Sequence, residues 1–239
     1  VVRKPRRFTS EELAPYQWQL PRVREREPGL TRQTDDTGPP PASPPPPIDW
    51  AALFGNPNPV EIEVGMGKGL FLLTSALARP DTNFFGIEIV RKYQLYATGR
   101  FARRQLPNVK TVCADARWVF RQFVPAASVQ AVHVYFPDPW WKARHKKRRV
   151  FTPTFAADTA RVLRPGGRLL IATDVEEYFA VMTGIVRAMP VFRELRAEMS
   201  AAPVEEAGYQ TNFERKARQK GTPVWRAEYE RLAGADGGA

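Results

Sequence analysis

The chain has 239 residues, with 36 Lys and Arg against 25 Asp and Glu, a formal net charge of +11. A chain of this length buries a substantial core as one folded domain, and its charge favours a polyanionic partner: RNA, DNA or an anionic membrane surface. A single cysteine, Cys113, excludes an internal disulfide, and two histidines argue against a structural zinc cluster. No stretch approaches the about 18 apolar residues of a membrane span, and the first thirty residues lack the apolar core of a signal peptide, so a cytoplasmic protein is expected.

Residues 1–49 read as a separate arm, expected to be unfolded in the absence of RNA. It opens on Arg3, Lys4, Arg6 and Arg7, passes through a mixed-charge stretch at 22–27 and ends near "GPPPASPPPP" at 38–47. Proline locks its own φ and donates no hydrogen bond, so the last run predicts an extended polyproline II spacer. Residues 50–233 then form the folded domain, and 234–239 a frayed tail.

Within the domain, short apolar runs alternate with helical patterns. Strands are expected at "PVEIEV" (59–64), "NFFGIEI" (83–89), "NVKTVCAD" (108–115), "VQAVHVYF" (129–136) and "GRLLIATD" (167–174). Helices are expected over 69–79, 91–105, 116–123, 153–163 and 175–188, with a turn at Arg164–Gly167 before the fifth strand. This order predicts an α/β fold, a mostly parallel sheet with helices on both faces and right-handed connections. The runs 191–198 and 224–232 have no clear helix between them and are expected to pair antiparallel at one edge.

The candidate site lies at the strand ends. Gly65, Gly67 and Gly69 sit where the first strand passes into the first helix, and glycines there let the backbone turn tightly against a bound group. Lys68 is followed by Gly69 rather than Ser or Thr, which disfavours a P-loop. Glu88 ends the second strand, where an acid grips ribose hydroxyls in nucleotide-binding folds, and Asp115 ends the third, placed to accept from an adenine amine. Glu63 precedes the glycine turn, where its charge would repel a pyrophosphate and welcome an amine. The adenosine cofactor that carries an amino acid and no phosphate is S-adenosylmethionine. Asp138 follows the fourth strand between Pro137 and Pro139, which stiffen the loop. Six Lys or Arg residues crowd positions 142–149, and phosphates are their natural counter-charge.

Acids beside a methyl donor suit guanine. They can accept from its N1–H and amino group without covering N7, whereas an arginine fork onto O6 and N7 would block the atom to be methylated. The residues by themselves leave three other readings open: a methyltransferase for an exocyclic base amine, since "PDPW" is near the motif of those enzymes; a small-molecule methyltransferase; and an RNA-binding module without turnover.

Taken together, "GNPNPVEIEVGMGKG", "FFGIEIVRKY", "CAD", "FPDPWWKARHKKRR", "LRPGG", "ATDVEEY" and "TNFERKARQKGTPVWRAEYE" resemble the bacterial tRNA (guanine-N7-)-methyltransferase family, from about Trp50 to Tyr229. The resemblance implies a class I, Rossmann-like methyltransferase fold with seven strands, S-adenosylmethionine as cofactor, and methyl transfer to N7 of a variable-loop guanosine in tRNA. It also implies that Glu63, Glu88, Asp115 and Asp138 contact the cofactor and that Asp138 is catalytic. Substrate contacts would come from Lys142, Asp174, Thr211, Asn212, Phe213 and Glu214, and RNA contacts from Arg144, His145, Lys146, Lys147, Arg148 and Arg149. Trp141 stands where the family usually has proline, and Ala143 where it usually has a second lysine. No metal and no obligate protein partner are expected, and the protein is expected to work as a monomer or a weak homodimer.

Overall fold

The computed structural model describes residues 8–21, 45–140, 144, 148–200, 211 and 221–234. Lys142, His145, Lys146, Lys147, Asn212, Phe213 and Glu214 lie outside the described residues, as do the proline run up to residue 44, the basic start of the arm and the tail from 235.

The first described segment carries a short helix, α1 (Ser10–Leu13), and a 3-10 turn at Ala14–Tyr16. A second short helix, α2 (Trp50–Phe54), is capped by Asp49 and ends at Gly55, whose φ of 73° needs a residue without Cβ. Strands and helices then alternate: β1 (Val60–Val64), α3 (Leu70–Ala78), β2 (Asn83–Glu88), α4 (Arg91–Arg103), β3 (Val109–Cys113), α5 (Ala116–Gln122), β4 (Val129–Tyr135), α6 (Pro153–Val162), β5 (Leu163–Thr173) and α7 (Glu176–Arg187). Two final strands, β6 (Phe192–Ser200) and β7 (Val224–Arg231), complete one seven-stranded sheet in the order β3-β2-β1-β4-β5-β7-β6.

β1 to β5 are parallel, while β7 runs antiparallel between β5 and β6. The expected antiparallel edge pair is therefore present. The fifth strand starts earlier than expected: the Arg164–Gly167 turn is absorbed into β5, with a register shift opposite Val129 and Ala131. Gly167 permits this, because a Cβ there would sit 2.8 Å from the Arg164 carbonyl and 3.1 Å from that of Gln130.

Strand alternation divides the core in two. Val60, Ile62 and Val64 join Phe85, Ile87, Val132, Val134, Phe120, Phe155 and Met182 on the face covered by α5, α6 and α7. On the other face Phe71, Leu72, Leu73, Phe84, Ala97 and Phe101 pack beneath α3 and α4. β1 is central and fully buried, so its two acids, Glu61 and Glu63, are buried on the α3 face as well.

A buried charge requires partners. Glu61 has them: Arg79 donates to both its oxygens at 2.6 and 3.0 Å, and His133 Nε2 lies 2.9 Å from Oε2. Burial alone would raise its pKa, but the hydrogen bonds from His133 and then Arg79 outweigh it and hold the carboxyl at about 2. Glu61 is structural, and the contrast with Glu63 locates the site.

Residues 8–21 correct the expectation of an unfolded arm over 1–49. Thr9 and Glu12 form a reciprocal capping box, Trp18 N donates to the Thr111 carbonyl at 2.9 Å, and Gln17 bridges Thr111 beside β3. The Trp18 ring packs edge-on against Phe85 and Phe123, with centroids 5.9 and 5.2 Å away. The cause is the exposed edge of β3, which the segment covers while burying an aromatic ring. Among the described residues, no helix is long and apolar enough to cross a membrane.

Candidate active site

The loop from β1 to α3 turns on three glycines in the left-handed region, with φ of 75° at Gly65, 53° at Gly67 and 64° at Gly69. Gly65 N and Met66 N both donate to the Ile87 carbonyl, which ties the loop to the end of β2. At Gly69 a Cβ would lie 2.6 Å from Phe101 Cζ and 2.9 Å from Ala97 Cβ, so glycine is required there for α3 to close onto α4.

Glu88 completes this cradle. Its Oε2 accepts from Gly67 N and its Oε1 from Val90 N, both at 2.8 Å. Each oxygen keeps a second lone pair for a ligand hydroxyl. Burial raises its pKa, the amides of Val90 and Gly67 pull the other way, and the negative charge of Asp138 adds to the rise.

Glu63 lies within the same cradle, pairing in register with Gly86 of β2 and His133 of β4. It is buried, and its Oε2 has no hydrogen-bond partner among the described residues. Burial, and then the charge of Glu88, push its pKa well above the ordinary value. An orphaned acceptor beside a glycine turn is what a bound ammonium group would satisfy.

Asp115 caps α5, accepting from Arg117 N at 2.8 Å, and forms a two-pronged ion pair with the Arg117 guanidinium. Ala114 N donates to the Glu88 carbonyl, so Asp115 shares the rim formed by the ends of β1, β2 and β4.

Asp138 is exposed on that rim after β4. Its loop is held by more than its prolines. Phe136 and Trp140, on either side, both have positive φ, 51° and 42°. Such backbone costs about 1–3 kcal/mol per residue and persists only where surrounding contacts over-determine it. Here Phe136 N donates to the Ala172 carbonyl at 2.7 Å, and Arg149 Nε donates to the Pro139 carbonyl at 2.7 Å. The Arg149 guanidinium lies 5.0 Å from the ring centroid of Tyr178, a fully buried side chain of α7, and that of Arg148 lies 5.0 Å from the ring centroid of Trp140. Burial pushes the Tyr178 hydroxyl up to about 12, against the opposing charge of Arg149.

Glu63, Glu88, Asp115 and Asp138 therefore share one rim. Asp174 is exposed at the end of β5, beside β4 in the sheet, and Thr211 is buried. Sequence reasoning missed the second role of Arg149, the brace at Tyr178 and the separation of Glu61 from Glu63. No local pattern signals the first two. The third had a signal, since two acids on one face of a strand buried on both sides need different solutions.

A glycine turn and several acids at the carboxyl ends of a 3-2-1-4-5-7-6 sheet match the architecture of a class I methyltransferase. Solved structures agree on the fold. The 16S rRNA methyltransferase KamB superposes with a TM-score of 0.57 at 18% identity, covering 73% of this chain and 88% of its own. The antibiotic-resistance methyltransferase Kmr does so at 0.52 and 21%, covering 74% and 88%. The family model described as "Putative methyltransferase" matches residues 57–227. A tRNA (guanine-N(7)-)-methyltransferase of Rhodopirellula baltica is 39% identical over 218 residues, 89% of this chain and 80% of that protein. One from Klebsiella pneumoniae is 36% identical, covering 78% of each chain. The chain belongs to the tRNA (guanine-N(7)-)-methyltransferase family.

Proposed function

We infer that this protein transfers a methyl group from S-adenosylmethionine to N7 of a guanosine in tRNA, in the variable loop by family resemblance, and that it works in the cytoplasm. The observation that carries the reading is Glu63, whose buried Oε2 at the glycine turn has no donor among the described residues. S-adenosylmethionine supplies an electrophilic methyl on sulfur, and N7 already bears a lone pair, so no side chain has to remove a proton first.

The chain's own residues bind and align. Glu63 takes the ammonium, the free lone pairs of Glu88 take the ribose hydroxyls, and the backbone at Gly65, Gly67 and Gly69 lies close to the bound group. Asp115 takes the adenine amine once Arg117 yields one of its contacts. Asp138 orients donor and acceptor from its braced loop and stabilises the positive charge that develops on the purine. Lys142, Asp174 and Thr211–Glu214 position the guanosine, while Arg144–Arg149 meet the RNA backbone.

Replacing Asp138 with Ala is expected to lower kcat by about a hundredfold or more, the scale of lost alignment, with tRNA affinity kept within a few-fold in a filter-binding titration. Turnover at the unmodified rate would remove Asp138 from the reaction.

A further inference from the structure

The exposed face of α4 belongs to neither the core nor the cofactor cradle. Tyr93 and Tyr96, one turn apart on α4, are 41% and 56% exposed. Folding leaves these two large rings in water, although burying each would be favourable.

Cations surround them. The helix reads RKYQLYATGRFAR and contains no acid; Arg91, Lys92 and Arg103 are exposed, as is Arg104 just beyond it. Lys68 of the glycine loop holds its ammonium 5.8 Å from the Tyr96 ring centroid, and Arg100 donates to the Lys68 carbonyl at 2.8 Å. No ion pair forms at Arg91, Lys92 or Arg104 among the described residues.

We propose that this face is a second tRNA-docking surface, distinct from the 144–149 run, in which the cations grip sugar-phosphate and Tyr93 and Tyr96 stack on exposed bases. The proposal rests on tRNA being the substrate. Three observations select RNA. Aromatic rings interleaved with cations, three of them without an ion pair among the described residues, fit a strand of phosphates and π-faces. The complete lack of acid on the helix disfavours a protein partner of mixed charge. The surface is also continuous with the reaction rim, because Val90 N donates directly to Glu88. A 13-residue helix is about 20 Å long, enough to follow several phosphates. Its far end meets the N-terminal segment: Arg103 lies over the Phe8 ring at 5.6 Å, and in sequence Phe8 follows Arg6 and Arg7 directly.

The test is the triple variant Arg91→Ala/Lys92→Ala/Arg104→Ala, with Arg91→Lys/Arg104→Lys as the charge-keeping counterpart and Tyr93→Ala separately. Filter binding of unmodified tRNA without cofactor, from about 50 to 200 mM salt, should give the triple variant an affinity about tenfold lower. Its log–log salt slope should be shallower by about two, from roughly 0.7–0.9 counterions per contact. The Lys variant should stay near wild type, Tyr93→Ala should lose several-fold with its slope unchanged, and calorimetry with S-adenosylmethionine should match wild type throughout. Unchanged tRNA affinity and slope in a triple variant that melts normally would overturn the proposal. So would a loss confined to vesicles of anionic lipid, which would mark a membrane surface instead. Because binding is read without methyl transfer, wild-type protein that binds tRNA and makes no N7-methylguanosine would count against the proposed function and leave the α4 surface standing.

Discussion

Glu63 and Glu61 are two residues apart on one strand and face the same way, yet their chemistry differs. Glu61 is matched by Arg79 and His133, and its charge helps to hold β1 to its neighbours. Glu63 is buried, and the charge of Glu88 lies near it, so its carboxyl is pushed well above the ordinary value. A bound ammonium reverses that preference. Cofactor binding should therefore release a proton, and affinity should rise as pH rises from the ordinary carboxyl value near 4.5 toward the raised one. Calorimetry in buffers of different ionisation enthalpy should detect the released proton in wild type and not in Glu63→Gln. Equal heats in all buffers for wild type would show that Glu63 is already ionised.

Arg149 is the other instructive side chain. Its place in a basic run suggests a phosphate contact, whereas its Nε donates to the Pro139 carbonyl and its guanidinium lies 5.0 Å from the Tyr178 ring centroid. Arg149→Ala is expected to lower kcat by about ten- to a hundredfold, through misplacement of Asp138, and Arg149→Lys should restore little, because a lysine cannot reproduce the planar fork. The salt dependence of the KM for tRNA separates the two roles. A slope close to wild type identifies a loop brace, and a slope reduced by about one identifies a phosphate contact.

Among the larger pieces, the alternating strands and helices were legible because their periods differ and their ends carry Gly, Pro or charge. Element boundaries moved by only a few residues, and the antiparallel pair 191–198 and 224–232 followed from the missing crossover helix. Residues 8–21 were not legible as a packed unit. Their capping-box spacing at Thr9 and Glu12 was visible, but four helical residues have no stability by themselves. What orders them is tertiary: the edge of β3 and the slot between Phe85 and Phe123 that Trp18 fills. Trp18→Ala should lower unfolding free energy by about 2 kcal/mol, less than a fully buried aromatic because the ring is only partly covered. Denaturant melting measures this, and an unchanged midpoint would mean that the segment contributes no stability.

Across the molecule, the sheet order makes one rim of acids out of residues that are up to 75 positions apart, Glu63 to Asp138. That convergence was legible, because strand ends in a parallel sheet share a rim. The division of labour among the acids depended on which had partners, and partners such as Arg79 and His133 come from elements whose packing no local pattern states. The cationic surface completes the picture, with +11 overall and a helix that carries cations and no acid beside the acidic cleft. The most direct test is to incubate unmodified tRNA with the protein and S-adenosylmethionine labelled in its methyl group, then digest the RNA and separate its nucleosides. Label in N7-methylguanosine, absent when Glu63 or Asp138 is replaced by Ala, is the expected result. Label on an exocyclic amine of adenosine or guanosine, or none in tRNA, would contradict the account.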